Sequence, residues 1–262
     1  RSVVQAHPQP RAIPVGGGSI VRDIVTPPWD FNIAGEILLV DKPVQWTSFD
    51  VVRKVRSMFR IRKVGHSGTL DPRATGLLVL CTGPKTKSIT EFVGYDKEYT
   101  GAFQLGMTTA SYDLETPVLK TRPWEHLTPA DIIAAVQSFL GKGRQEPPMY
   151  SAAKVAGRAL YKYAREGKII ERAERDIDIR SFDVTAMELP LVSFRLTCSK
   201  GTYVRSVVHD LGQQLGCGAT LIALRRERVG PWNVKDAWTL ERLAEHVESH
   251  GRTERDAVRT TA

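Results

Sequence analysis

Val64-Gly65-His66-Ser67-Gly68-Thr69-Leu70-Asp71-Pro72-Arg73-Ala74-Thr75-Gly76-Leu77-Leu78-Val79-Leu80 is the stretch around which the chain is organised. The apolar run Leu77 to Leu80 follows a loop too rich in glycine and proline to be helical, punctuated by Gly65, Gly68, Pro72 and Gly76. That loop carries a histidine, several hydroxyls and one acid, Asp71. Pro72 biases Asp71 toward extended backbone angles and removes the next amide donor. The expected arrangement is a carboxylate on a stiff turn beside a buried strand, a common way to carry a catalytic group. A lone Asp-Pro is far more often an Asx-type turn than a nucleophile, so the dipeptide alone leaves both roles open.

Working outward, the 262-residue chain is long enough for a sizeable core in one main domain, and its 42% hydrophobic and 25% charged residues are ordinary for a soluble globular protein. No apolar run approaches the ~18 residues that cross a bilayer. The net charge of +8 points to a polyanionic partner without proving one. Cys81, Cys198 and Cys217 are odd in number and lack metal-type spacing, which reads as reduced, buried thiols.

Residues 1–30, with prolines at 8, 10, 14, 27 and 28 and a triple glycine, read as a flexible extension, and order is expected near Gly35. Ile37 to Val40 read as a buried strand. Thr47 or Ser48 can cap a helix that buries Val51, Val52, Val55, Met58 and Phe59. Lys85 to Val93 suggest a short helix, and the period-two face Tyr99, Phe103, Leu105 a strand. Residues 107–122 read as a polar loop. Thr128-Pro129-x-Asp131 starts a helix with Ile132, Ile133, Val136, Phe139 and Leu140 on its apolar face and Gly141 as its stop.

Residues 142–175 change character: nine Lys or Arg stand against four acids, with Tyr150, Tyr161 and Tyr163 interleaved. Basic charge with aromatics is the footprint of a nucleic-acid groove. An irregular strand follows from Arg175 to Glu188, then a strand from Val192 to Cys198. Thr202 can cap a helix with Arg205 in its first turn, where a cation faces the positive helix end and calls for a nearby carboxylate. Thr239-Leu240-Glu241 opens a last helix to about residue 248, before a polar tail over 249–262.

Gly65-His66-Ser67-Gly68-Thr69-Leu70-Asp71-Pro72 followed by Ala74-Thr75-Gly76 closely resembles the catalytic loop of the TruB-type tRNA pseudouridine synthases. So do Asp41-Lys42-Pro43 with Thr47-Ser48-Phe49-Asp50, Lys97-x-Tyr99 with Leu105-Gly106, Pro148-Met149-Tyr150-Ser151-Ala152, Cys198-Ser199-Lys200-Gly201-Thr202-Tyr203-x-Arg205, and the run from Thr220 to Arg226. The matches run in order from about Gly35 to Leu243.

This resemblance implies an α+β fold: a mixed, largely antiparallel sheet with surrounding helices, formed by residues 31–248 with an RNA-gripping insertion at 142–175. It makes Asp71 the nucleophile, Arg205 its partner, and Tyr99 the residue against the flipped uracil. His66 would fill the space the base leaves, and Tyr203 and Leu224 would line the uracil pocket. Lys42 would touch RNA phosphate, with a solvated strand-end lysine as its bland alternative, and Asp113 would position Arg205. The implied substrate is the T arm of tRNA, handled by a monomer with no cofactor, no metal, no membrane and no protein partner. The compartment is the bacterial cytoplasm, or an organelle if residues 1–30 are an import remnant. The chain stops about twenty residues after the last motif, so the small C-terminal RNA-binding module of bacterial relatives is expected to be missing. Two other readings compete with this one. A binding-only tRNA chaperone is disfavoured by the intact Asp71, Tyr99 and Arg205. A guide-RNA-dependent synthase is disfavoured by the 142–175 insertion and the expected lack of that module.

Overall fold

The structure, a computed structural model, describes residues 29–249. The expected N-terminal extension before residue 29 and the tail from residue 250 lie outside the described residues.

Strand β1 (Ile37–Lys42) is followed by α1 (Ser48–Met58), which starts where Thr47 and Asp50 form a reciprocal capping box and buries Val51, Val52 and Val55. The three-residue β2 (Val64–His66) leads through the Gly-rich loop into β3 (Thr75–Thr82). A 3-10 turn over Gly83–Ser88 precedes the short α2 (Ile89–Val93) and β4 (Lys97–Leu105). The expected polar loop at 107–122 contains a small hairpin, β5 (Met107–Thr109) and β6 (Val118–Thr121).

Helix α3 (Pro129–Gln137) has the expected cap at Thr128 and Asp131. Ile132 and Val136 are buried, but Ile133 and Leu140 are exposed, and Gly141, at φ +92°, does not stop the helix. It opens β7 (Gly141–Gln145), an edge strand of the main sheet. The expected insertion at 142–175 therefore begins inside the sheet. It continues as the β8 (Lys154–Val155) and β9 (Arg158–Ala159) hairpin and α4 (Leu160–Arg165).

Strands β10 (Arg175–Glu188) and β11 (Leu191–Cys198) pair antiparallel, with two register shifts in β10 accounting for its broken alternation. Helix α5 (Val204–Gln214) starts at Tyr203, not Thr202; the Thr202 hydroxyl donates back to the Ser199 carbonyl. Strands β12 (Ala219–Val229) and β13 (Trp232–Asn233) precede α6, residues 240–249.

The main sheet runs β1-β3-β12-β4-β11-β10-β7, with β2 on β3 and β13 on β12. Every pairing in it is antiparallel except β3 with β12. Strand β3 is apolar at successive positions because both of its faces are covered. Leu78 and Leu80 join α1 and α6 residues Val51, Val55 and Leu243, while Leu77, Val79 and Cys81 join Phe92 and Trp232. The largest cluster fills the face of β4, β10, β11 and β12 under α3 and α5, around Phe103, Phe194 and Val208. Order starts earlier than Gly35: Trp29 and Phe31 pack on Phe59, with Trp29 edge-on to Trp238 at 5.5 Å. The three cysteines are unpaired and buried, and burial pushes the Cys81 and Cys198 thiols up to about 12.

Candidate active site

The Asp71 loop is held from below by the start of α1. The Ser48 hydroxyl accepts from the Leu70 amide at 2.9 Å, and the Gln45 amide donates to the Pro72 carbonyl at 2.8 Å. The turn after Asp71 is closed by backbone alone, Ala74 N–H to the Asp71 carbonyl at 3.1 Å. The Asp71 carboxylate is thus not engaged in capping its own turn. It faces α5 instead.

Arg205 meets it with a two-pronged fork: Nε donates to Oδ2 at 2.9 Å and Nη2 to Oδ1 at 3.0 Å. Two further guanidinium donors are also fixed, Nη1 on the Ser111 carbonyl and Nη2 on the Tyr150 carbonyl, each at 2.9 Å. Arg205 is 2% exposed, whereas the Asp71 side chain keeps 34% of its surface. The cation is the buried, immobile member and the carboxylate is the one that solvent or a ligand can reach. Such planar, bidentate pairing sets direction as well as charge. Asp113, 5% exposed, lies 3.9 Å from Arg205 Nε and is itself held by the Ser111 hydroxyl at 2.6 Å and the Glu115 amide at 2.9 Å. Its carboxylate therefore lies beside the arginine without a direct hydrogen bond to it.

The pair opens into a cleft of about 370 Å³ whose wall includes Leu70, Asp71, Tyr99, Tyr203, Arg205 and Leu224. That volume suits a small aromatic ligand, on the scale of ordinary ligand pockets. Tyr99 is buried on β4, and burial pushes its phenol up. Tyr203 is placed by Gln145 at the end of β7, whose side-chain amide accepts from the Tyr203 N–H at 2.8 Å and donates to the Tyr203 carbonyl at 3.1 Å.

One expected site residue is placed elsewhere, and another lies outside the cleft wall. Lys42 is fully buried, and its ammonium donates to the carbonyls of Pro43, Trp46 and Pro72 at 3.0, 2.6 and 3.3 Å. Loss of hydration pulls its pKa down to about 8. It ties the Asp71 loop to β1, and an ammonium enclosed by these carbonyls is not placed to meet an RNA phosphate, which corrects that expectation. His66 is half-buried on β2 and is not among the residues that line the cleft. Burial, then the charge of Arg226, lowers its pKa.

The basic segment also differs from a row of free cations. Arg158 lies over the Tyr163 ring and pairs with Glu166, and Arg165 lies over the Tyr161 ring at 5.3 Å. Lys154, Lys162 and Arg165 are nonetheless exposed. Sequence reading passed over Ser48, Gln145, Ser111 and above all Arg226, a buried arginine in the cleft wall.

A family model described as TruB family pseudouridylate synthase (N terminal domain) matches residues 56–204. The chain belongs to the TruB family. A second family model, described as the tRNA pseudouridylate synthase B C-terminal domain, matches residues 205–260. Its described part, α5, β12 and α6, is built into the main sheet and its helices. Among TruB relatives, the protein named tRNA pseudouridine synthase B of Chloroherpeton thalassium is 49% identical over 82% of this chain and 93% of its own. That of Chlorobium luteolum is 51% identical over 79% of this chain and 74% of its own. Of solved structures, a Cbf5-Nop10-Gar1 complex matches with 27% identity and a TM-score of 0.64, over 86% of this chain and 61% of the other. An H/ACA RNP bound to a substrate RNA containing 2'-deoxyuridine matches with 25% identity and a TM-score of 0.61, over 84% and 55%. This TruB chain thus spans little more than half of those longer chains and is similar to them in fold over that span.

Proposed function

We propose that this chain isomerises the uridine of the tRNA T loop to pseudouridine, with Asp71 as the nucleophile. The observation that carries the reading is the Asp71–Arg205 fork, a reachable carboxylate aimed by a buried cation into a cleft beside Tyr99. The family and its named tRNA-modifying relatives supply the reaction class. The glycosidic N1–C1′ bond breaks, the uracil turns, and a C5–C1′ bond forms; C5 loses a proton and N1 gains one. Asp71 provides the electron pair for a covalent bond to the ribose or to the uracil ring, and that bond breaks again to return the free carboxylate when pseudouridine is released. Arg205 holds that carboxylate in one orientation. Tyr99 stacks on the base, and its hydroxyl stands at the reacting ring. A loop uridine reaches this floor only by leaving its stack, at a cost of about a few kcal/mol. The exposed cations of residues 142–175 hold the adjoining stem by its phosphates.

Tyr99→Phe keeps the ring and removes the hydroxyl, so slowed turnover with near-normal tRNA affinity is expected. Tyr99→Ala loses both, and rate and affinity should fall together. Near-normal turnover in both variants, measured by tritium release from C5-labelled tRNA, would return Tyr99 to a packing role.

The substrate reading is tested with a short hairpin that reproduces the T arm. The site asks for one flipped uridine and a stem beside it, and double-stranded RNA is read mainly through shape and backbone. Initial rates on hairpin and whole tRNA should agree within about tenfold, with one uridine converted, and a loop that cannot form its turn should be inert. An inert hairpin beside a modified whole tRNA would show that contacts beyond the T arm are required.

A further inference from the structure

One row of residues crosses the middle of the sheet at the cleft. Gly76 on β3, Arg226 on β12, Tyr99 on β4 and Leu196 on β11 stand side by side in register. Directly opposed residues project from one face, within side-chain reach of each other. Arg226 is 2% exposed and is the bulkiest fully buried side chain among the described residues. Its neighbour Arg225 points the other way and pairs with Asp41 at 2.7 Å. Arg226 instead lines the cleft with Tyr99 and Leu224.

Its guanidinium reaches three parts of the site. Nε donates to the Leu77 carbonyl on β3 at 2.7 Å, and Nη2 donates to the Gly68 carbonyl, three residues before Asp71, at 3.1 Å. Arg226 also stands directly across from Tyr99 in the strand register, with both in the cleft wall, and its charge opposes the rise in phenol pKa that burial imposes. The parallel β3–β12 seam is what brings it so close. A Cβ on Gly76, whose φ is +102°, would stand 2.3 Å from the Arg226 carbonyl oxygen. Carbonyl oxygens meet the charge, and no ion pair to Arg226 forms among the described residues. Lys42, Lys97 and His66 are close enough for its charge to lower their pKa values further. A buried cation without a carboxylate, among other cations, is a poor choice for stability alone.

We propose that Arg226 is a positioning residue for the isomerisation, locking Tyr99 and the Gly68–Asp71 loop into one unit so that the ring beneath the base and the attacking carboxylate keep a fixed separation. The proposal rests on the roles given to Asp71 and Tyr99 above. Lysine at this position keeps the charge but offers a single point in place of a fork, so it cannot hold both the loop carbonyl and the tyrosine in the same geometry. Glutamine keeps a donor for one carbonyl and removes the charge.

The test is a double-mutant cycle on the full chain with unmodified tRNA transcript, comparing wild type, Arg226→Lys, Tyr99→Phe and the double variant. Single-turnover pseudouridine formation, tRNA affinity and melting temperature are read for each. Arg226→Lys should lower the single-turnover rate by about 10²-fold, the scale of a small misplacement at a reacting centre, with tRNA affinity unchanged. In the Tyr99→Phe background the same exchange should cost several-fold less. Arg226→Gln should show the same pattern. Equal costs in both backgrounds, or an unchanged rate, would overturn the proposal. So would a failure of both Arg226→Lys and Arg226→Gln to fold, which would make the arginine scaffolding only. Wild-type protein that forms no pseudouridine would instead sink the functional reading itself.

Discussion

Asp71→Asn is expected to lower pseudouridine formation by on the order of 10⁴-fold or more while tRNA affinity stays within a few-fold of wild type, because an amide cannot replace the attacking carboxylate. The affinity should survive because the proposed phosphate contacts are made by the exposed cations of residues 142–175 and not by the carboxylate. A second consequence follows from the fork. Arg205, 3% exposed at its side chain, would then face a neutral amide in place of its bidentate partner. Breaking one member of a buried pair costs about 3–5 kcal/mol when both are enclosed. Asp71 keeps 34% of its side-chain surface, so screening by water reduces the expected loss to about 1–2 kcal/mol. Chemical denaturation with circular dichroism gives that number, and single-turnover assays give the first. Substantial turnover by a folded Asp71→Asn protein would remove Asp71 from its role.

Arg205→Lys should have the next largest effect. The ammonium is a point with a flexible stem, and the present side chain makes four short bonds at once, to both Asp71 oxygens and to the Ser111 and Tyr150 carbonyls. Lysine cannot satisfy all four from one position. The carboxylate loses its fixed direction, and turnover should fall by about 10²-fold or more. One or two buried carbonyls go unpaired, at about 1–3 kcal/mol each, so this variant should also melt lower than Asp71→Asn. tRNA affinity should be little changed. An Arg205→Lys enzyme with wild-type turnover would show that the fork does not aim the nucleophile.

Much of this site could be read from the chain because its signals are local. Asp71-Pro72 between glycines marks a stiff loop, the unbroken run Leu77 to Leu80 marks a buried strand, and Arg205 in a first helical turn calls for a nearby carboxylate, which Asp71 supplies. What escaped depended on long-range pairing. Strand β7, Gly-Lys-Gly-Arg-Gln, has no apolar residue to betray a sheet edge, and its one buried side chain, Gln145, is buried because it grips Tyr203. Strand β6 is exposed at every position and so shows no alternation. Lys42 looked like a surface lysine because a fully buried ammonium needs several carbonyls around it, supplied here by Pro43, Trp46 and distant Pro72. Arg226 was one of two adjacent arginines, and only the strand register tells which of them faces the cleft.

The most direct measurement is to incubate this protein alone with an unmodified tRNA transcript and map pseudouridine along it by base-resolution chemical sequencing, beside the Asp71→Asn variant. One pseudouridine is expected, at the T-loop uridine, formed by wild type without guide RNA or added protein and absent with Asp71→Asn. Modification at a different uridine, none at all, or the same mark left by both proteins would contradict it.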